Sequence, residues 1–329
     1  MTSALQLEIL DLRHFSAASL RPLLETEARV WSERLAWDYR PSANLLLQYL
    51  DSRILPGYVA VENGRISGYV FCVYEEHKAV IGDVFAIQPQ HPEATNALIE
   101  LKLLESLIEL LQHSPGVQRI ESQLLLHPHG ELASAFEETG FQIHKRLFMR
   151  RNLGTDFQPP SSLLPPGLEL RPWREEDFNA AARLISAAYS GHLDSHINDQ
   201  YRSVAGSLRF LHNIVRFPGC GHFDATASRV LVHSQTNEFA GLVLCSRVRE
   251  DVAHITQLCV AKDERSHGLG RLLLESCAGN LRSEGFRALT LTVTAGNENA
   301  VELYRRADFQ TIHDFDAMLW EKSGYKAGS

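Results

Sequence analysis

From Leu7 the chain alternates apolar and polar positions and then changes period. "LEILDLRHFSAASLRPLL" (7–24) runs from a strand pattern of period two into an amphipathic helix pattern, and "LELRPWREEDFNAAARLI" (168–185) does the same. Further along, "SRVLVHS" and "EFAGLVLCSRV" predict successive strands joined by a polar turn, and "AHITQLCV" (253–260) predicts a third. Leu274, Cys277, Ala278 and Leu281 fall at i, i+3, i+4 and i+7, the apolar face of a helix. "ALTLTV" (288–293) sets Leu289, Leu291 and Val293 on one face of a strand. "NENAVELYRRA" sets Ala300, Leu303, Tyr304 and Ala307 on one face of a short helix, and "FQTIHDFDAMLW" predicts the strand that closes the domain. Strand, glycine loop, helix, strand, helix, strand is a mixed α/β plan.

The patterns also repeat. "GYVFC" (68–72) matches "GLVLC" (241–245) at an offset of 173 residues, which carries Ile87 onto Val260 without a gap. "FEETGF" (136–141) falls on "YRRADF" (304–309) at an offset of 168. Identities are few, so the repeat rests on order and spacing. Between the copies, "GTDFQPPSSLLPPG" holds two Pro pairs and a Ser pair, which exclude a regular helix or central strand. The expected organisation is a first domain over 1–153, a semi-rigid linker over 154–167 and a second domain of the same fold over 168–329.

Composition narrows the class. A chain of 329 residues suits two domains, and 44% apolar with 22% charged residues is ordinary globular composition. The net charge of −8 argues against a general nucleic-acid binder or a protein held on anionic lipid. No apolar run reaches membrane-spanning length, and "MTSALQLEILDLRHF" lacks the pattern of a signal peptide. Five scattered cysteines with no CxxC pair read as reduced thiols, so a cytoplasmic protein without a disulfide framework or zinc site is expected.

One stretch carries specific chemistry. "ERSHGLGRLLLES" (264–276) places Gly268 and Gly270 at the head of an apolar helix, where a side-chain cap would be usual. Glycine there admits close approach to the backbone, and the unpaired N–H groups of a first helical turn suit a phosphate. No Gly-Lys-Ser/Thr follows, so this is not a Walker A loop. Arg265–Ser266–His267–Gly268–Leu269–Gly270 resembles the R/Q-x-x-G-x-G/A loop of the GNAT superfamily of acetyl-CoA-dependent N-acetyltransferases. "GNENAVELYRRADF" (296–309) resembles that family's second signature, an Asn-containing turn before a helix ending in Leu-Tyr. The resemblance covers roughly residues 168–322, while the first half shares the layout; tandem members exist in the superfamily.

The resemblance implies an acyl-CoA N-acyltransferase fold in tandem, with a mixed twisted sheet flanked by helices in each half. It implies that the 265–271 loop, with Arg265, Ser266, His267, Gly268, Leu269, Gly270 and Arg271, holds the coenzyme A pyrophosphate. Leu258, Cys259 and Val260 match a bulged strand whose backbone N–H meets the thioester carbonyl, and Tyr304 matches the acid that protonates the departing sulfur. Asn297 and Asn299 cap the helix and reach the pantetheine arm. The base is open. Gln257 stands near where some members carry Glu, and an amide can position water but cannot take a proton. His254 is a candidate, with Glu250 and Asp251 near the strand's start, and a water chain serves equally. An acyl-Cys259 intermediate is disfavoured, because a small thiol on a strand is ordinary packing. Asp308 stands where a Gly commonly precedes the Phe, which puts the local turn in question.

The first half departs from both signatures. Between Asp83 and Pro115 it has no glycine; Pro92, Thr95 and Ala97 stand at the positions of Arg265, Gly268 and Gly270, and Phe136 stands at that of Tyr304. It is expected to be a degenerate copy that packs, shapes the acceptor pocket or binds a partner. In "GHLDSHIND" (191–199), His192 and His196 lie at i, i+4 with Asp194 and Asp199 nearby, but no third paired ligand stands out; no metal is expected, and the resemblance puts this segment at the acceptor pocket. "FPGCGHFD" (217–224) reads as a turn that borders it. The expected function is acetyl transfer from acetyl-CoA to a primary amine on a small molecule or peptide. Protein N-terminal or lysine acetylation is one alternative, and a non-catalytic acyl-CoA-binding sensor is another. Oligomeric state, acyl-chain length and the acceptor's identity are not written in these residues.

Overall fold

The computed structural model describes residues 7–88, 95–154 and 164–324. They divide into two compact units, one of Met1–Leu35, Tyr39–Arg146 and Asp314–Ser329, the other of Ala36–Asp38 and Leu147–His313.

In the first unit the elements are β1 (Leu7–Asp11), α1 (Ala17–Leu35), α2 (Arg40–Asp51), β2 (Gly57–Glu62), β3 (Arg65–Glu75), β4 (Lys78–Ala86), α3 (Asn96–His113), β5 (Arg119–Gln123), α4 (Ala133–Glu137) and the start of β6 (Gln142–Asn152). β1 to β4 pair in sequence, antiparallel, and β5 joins β4 in parallel. The second unit continues with β7 (Leu168–Pro172), α5 (Phe178–Tyr189), α6 (Leu193–Ile197), α7 (Val204–Arg216), β8 (His222–Phe223), β9 (Arg229–His233), β10 (Phe239–Arg249), β11 (Val252–Val260), α8 (Leu269–Ser283), β12 (Ala288–Thr294), α9 (Glu298–Arg306) and β13 (Gln310–Glu321). There β7, β9, β10 and β11 pair antiparallel, and β12 joins β11 in parallel. The strands of the two units repeat one order, with an amphipathic helix crossing over before each parallel strand.

The matched glycines have a packing reason. A methyl group at Gly241 would lie 3.0 Å from Leu273 of α8, and one at Gly68 would lie 3.1 Å from Ile99 of α3. The crossover helices can therefore press close to the sheet, where they bury the cores around Leu273, Leu274 and Leu281 in one unit and Leu103, Leu104 and Leu107 in the other. At the end of each repeat an aromatic pair is kept: Phe136 against Phe141 at 5.1 Å, and Tyr304 against Phe309 at 5.9 Å.

Two features of the parallel pairing position the site. β11 pairs with β12 from Val252–Ala288 to Ile255–Leu291, so the last residues of β11 lie beyond the paired stretch. At that point β11 also takes an extra residue: Leu244 faces Gln257 while Cys245 faces Ile255, leaving Thr256 as a bulge. The insertion shifts the alternation by one. Ile255, Leu258 and Val260 thus pack on the α8 side, and Cys259 packs on the α5 and α7 side.

The last strand corrects a sequence expectation. β13 does not simply close the second domain: from Ala317 to Glu321 it pairs antiparallel with β5, and Asp314 onward belongs to the first unit. In exchange Leu147–Asn152 of β6 lie in the second unit beside β12, with Met149 and Leu153 in its core. Both strands carry apolar residues suited to either core, and their periodicity could not name the neighbour. The residues 155–163 of the expected linker lie outside the described residues. All five cysteines are free, and no helix among the described residues is long and apolar enough to cross a membrane.

Candidate active site

The glycine loop sits at the open end of the parallel pair. Gly268 is the N-cap of α8 with φ +77°, a left-handed conformation that glycine takes without cost. The first bond of the helix runs from Leu272 N–H to the Gly268 carbonyl, so the N–H groups of Leu269, Gly270 and Arg271 precede the intrahelical ladder. Arg265, Ser266, His267, Gly268 and Arg271 are exposed, and Leu269 is buried as the anchor. Gly270 has a second reason to lack a side chain: its Cβ would stand 3.3 Å from Leu303 of α9. Arg265 serves the loop itself, donating to the carbonyls of Ala188 at 2.8 Å and Val260 at 3.4 Å and so tying the loop to the end of α5. Exposed N–H groups at the head of a helix, reached across a glycine, fit a pyrophosphate.

Beyond the bulge the polar groups converge. The Leu258 N–H donates to Gln257 Oε1 at 3.1 Å, and the Tyr189 hydroxyl donates to the same oxygen at 3.1 Å. The backbone donor fixes which way the amide points, and it leaves the buried Gln257 Nε2 without a partner. A buried orphan donor beside an N–H that a side chain can release is a site prepared for a ligand oxygen. Tyr189, at the last residue of α5, interacts electrostatically with Tyr201, Cys259, Asp194 and Tyr304, and burial holds its phenol well above the usual range. Tyr304 is buried, with its ring on Phe309. Asn297 caps α9, its Oδ1 accepting from Ala300 N–H at 3.3 Å, while Asn299 is exposed on the first turn.

α6 lies over the β12 side of this opening. Leu193 meets Gly296, and the Thr294 hydroxyl donates to Asp194 Oδ1. His192, weighed as a metal ligand, is instead the N-cap of α6: its Nδ1 accepts from Asp194 N–H at 3.1 Å, and its ring stands edge-on to Tyr189 at 5.3 Å. Among the described residues no group of three His, Cys, Asp or Glu could hold a metal ion.

His254 is not brought to the opening. It lies within the paired stretch, opposite Thr290, with Nδ1 2.9 Å from the Thr290 hydroxyl and its ring between Trp37 and Phe148. Asp251 is bound to Arg249 at the far end of the strand, roughly 20 Å from Leu258 at the usual rise per residue. Burial pushes the Cys259 thiol up to about 12, which disfavours the thiolate a nucleophile needs. Tyr189 and Asp194 escaped the sequence reading. A tyrosine on an apolar helix face looks like core, and Asp194 stood in a cluster that looked like half a metal site.

The first unit has the same bulge with different fillings. β4 inserts Gly82, so Phe71 faces Asp83 while Cys72 faces Ile81. Asp83 Oδ1 accepts from Val84 N–H at 2.9 Å, as Gln257 does from Leu258. Past it, Glu100 accepts from Ala86 N–H at 2.9 Å, Asn96 donates to the Ala86 carbonyl at 3.1 Å, and His127 Nε2 bonds the Val84 carbonyl at 3.0 Å. The free edge of β4 is thus occupied by the unit's own side chains, beside a cavity of about 400 Å³ lined by Arg34, Asn96, Glu100, His127 and Glu131. Thr95 caps α3, accepting from Leu98 N–H at 3.2 Å, where Gly268 leaves α8 open.

Comparison with known proteins agrees with this geometry. The Acetyltransferase (GNAT) family matches residues 194–309. A mycothiol acetyltransferase of Saccharopolyspora erythraea is 24% identical over 253 residues, covering 75% of this chain and 79% of that one. A GCN5-related N-acetyltransferase from Sphaerobacter thermophilus superposes with a TM-score of 0.68 at 15% identity over 98% of both chains. A tandem GNAT protein from the clavulanic acid biosynthesis pathway superposes with a TM-score of 0.61 at 16% identity, over 98% of this chain and 100% of that one. Residues 194–309 of the second unit thus match the Acetyltransferase (GNAT) family, and the chain as a whole has the fold of a tandem GNAT protein.

Proposed function

We propose that the second unit transfers an acetyl group from acetyl-CoA to a primary amine by direct attack, at one working site per chain. The observation that carries this reading is the end of the β11–β12 pairing, beyond which the Leu258 N–H is held by Gln257 and Tyr189 interacts with Tyr304, together with the uncapped head of α8. Acetyl-CoA supplies the activated thioester. The N–H groups of Leu269, Gly270 and Arg271 bind its pyrophosphate without a Cβ at Gly268 or Gly270 in the way. The Leu258 N–H exchanges Gln257 Oε1 for the thioester oxygen and stabilises the negative charge that develops there. Tyr304 gives its proton to the departing sulfur, a reasonable transfer from a phenol of pKa about 10 to a thiolate of about 8.5. Cys259 stays a buried thiol, which supports one transfer rather than two through an acyl-enzyme. The occupied edge of β4, the cap at Thr95 and Phe136 in place of Tyr304 support a first unit without this activity.

Calorimetric titration with acetyl-CoA tests the reading. We expect one site per chain, abolished in Gly268→Val, and a Tyr304→Phe enzyme that binds acetyl-CoA normally with kcat lowered about 10²-fold. Two sites would refute the assignment of the first unit. Binding without turnover of any amine would favour a sensor.

A further inference from the structure

Asp194 is a nearly buried carboxylate with no Lys or Arg in ion-pair contact among the described residues. Its side chain is 14% exposed, and among the described residues its only ion-pair neighbour is His192, whose Nδ1 lies 3.5 Å from Oδ2. That nitrogen already accepts the Asp194 N–H, so its lone pair faces the chain and carries no proton to offer the carboxylate. Two uncharged groups also face Asp194: the Thr294 hydroxyl from β12, which donates to Oδ1, and the Tyr189 phenol from α5. A carboxylate this enclosed normally finds a positive partner, because removing it from water is costly.

Its place in the fold says what the partner is. Thr294 stands three residues past Leu291, the last paired position of β12, level with the Leu258–Cys259 stretch of β11 across the opening. Tyr189 joins the two sides, donating to Gln257 Oε1 and interacting with Asp194 and Tyr304. The carboxylate therefore borders the space in which a nucleophile must stand to reach a carbonyl held by the Leu258 N–H.

We infer that Asp194 is the group that receives the acceptor's ammonium and takes its proton, so that the acceptor is a cationic primary amine. This rests on the function proposed above. The protons balance: the ammonium gives one proton to Asp194, and the freed nitrogen forms the C–N bond while the C–S bond breaks. Tyr304 protonates the sulfur and recovers a proton from the nitrogen, and Asp194 returns its own to solvent. One proton leaves per turnover.

The test compares the full-length chain with Asp194→Asn, which keeps the oxygen that Thr294 bonds, and with Asp194→Glu. Acetyl-CoA binding is measured by calorimetry, and kcat/KM from pH 6 to 10 with glucosamine, cadaverine and an unblocked tripeptide as acceptors. Asp194→Asn should bind acetyl-CoA as the parent does and lose about 10²-fold in kcat/KM at pH 7. With cadaverine the deficit should shrink at least tenfold toward pH 10, as an amine of pKa near 10 sheds its proton in solution, and with the tripeptide it should shrink already by about pH 9, as the α-amine sheds its own near 8. Asp194→Glu should recover part of the activity near neutrality. An unchanged pH profile in Asp194→Asn, a loss confined to acetyl-CoA affinity, or a parent that binds acetyl-CoA and acetylates none of these amines would overturn the assignment. A parent that fails to bind acetyl-CoA would overturn the function on which it rests.

Discussion

Asp308 holds φ at +61°, in the region that glycine enters freely and other residues avoid. Its N–H closes the end of α9 on the Arg305 carbonyl at 3.0 Å, and Phe309 N–H follows onto Tyr304 at 3.0 Å. The matching residue of the first unit, Gly140, takes φ +81°. The turn is therefore intact, and the missing glycine costs conformational energy rather than geometry. Asp308→Gly should raise the stability of the chain by about 0.5 kcal/mol, the left-handed penalty less the chain entropy of glycine, read as a shift in urea midpoint with turnover unchanged. The places of Gly268, at the head of α8, and of Tyr304, on the buried face of α9, were legible in the sequence because the motif spacing sets them. Gly270 was legible only in part: its contact with Leu303 depends on how α9 is laid against α8, which no local pattern encodes. Gln257 was read as a residue that can position water but cannot take a proton, and its geometry shows in addition an occupant of the Leu258 N–H.

Among the elements, the two bulged strands were built alike and filled differently. Behind Asp83, Glu27 is fully enclosed, accepting from Tyr69 at 2.7 Å and from Trp31 at 3.3 Å. Burial raises the Glu27 carboxyl to about 7, and Asp83 is raised for the same reason. His127 is raised to about 8, since burial, which opposes its charge, is outweighed by Glu131 and Glu100. All three groups bind protons more tightly folded than unfolded, so all three act in one direction. The Glu27 contribution is complete below 4.5 and is lost as pH rises through about 7, and that of His127 is complete below 6.5 and lost through about 8. The urea midpoint of the first unit should therefore decrease from about pH 4.5 to about pH 8. Glu27→Gln should flatten the lower part of that fall and gain about 2 kcal/mol at pH 8. Strands and helices themselves were legible because their periods differ. The bulge in β11 was expected only through the family resemblance and the one at Gly82 not at all, because a bulge is a mismatch with a partner strand.

At the scale of the molecule, the repeat predicted from offsets of 173 and 168 residues is present, but the boundary drawn through the proline-rich stretch is not where the units part. β5 needs Ala317–Glu321, and β12 needs the end of β6. A fragment of residues 1–153 would leave β5 as an open edge with a row of unpaired N–H and C=O groups. It should aggregate or melt well below the full chain in circular dichroism, whereas the same fragment supplied with residues 310–324 on a flexible tether should recover a cooperative transition. An independently stable 1–153 with the thermal midpoint of the whole chain would contradict this.

The late strand also sets an order of events during synthesis. β5 leaves the ribosome long before Asp314–Glu321 exist, and at 5–20 residues per second it waits on the order of ten seconds or more for them. Through that interval the first unit is short of one strand and the nascent chain carries an exposed sheet edge. Vectorial folding, first domain before second, is closed to this protein. Both halves finish together, when the last strand is released.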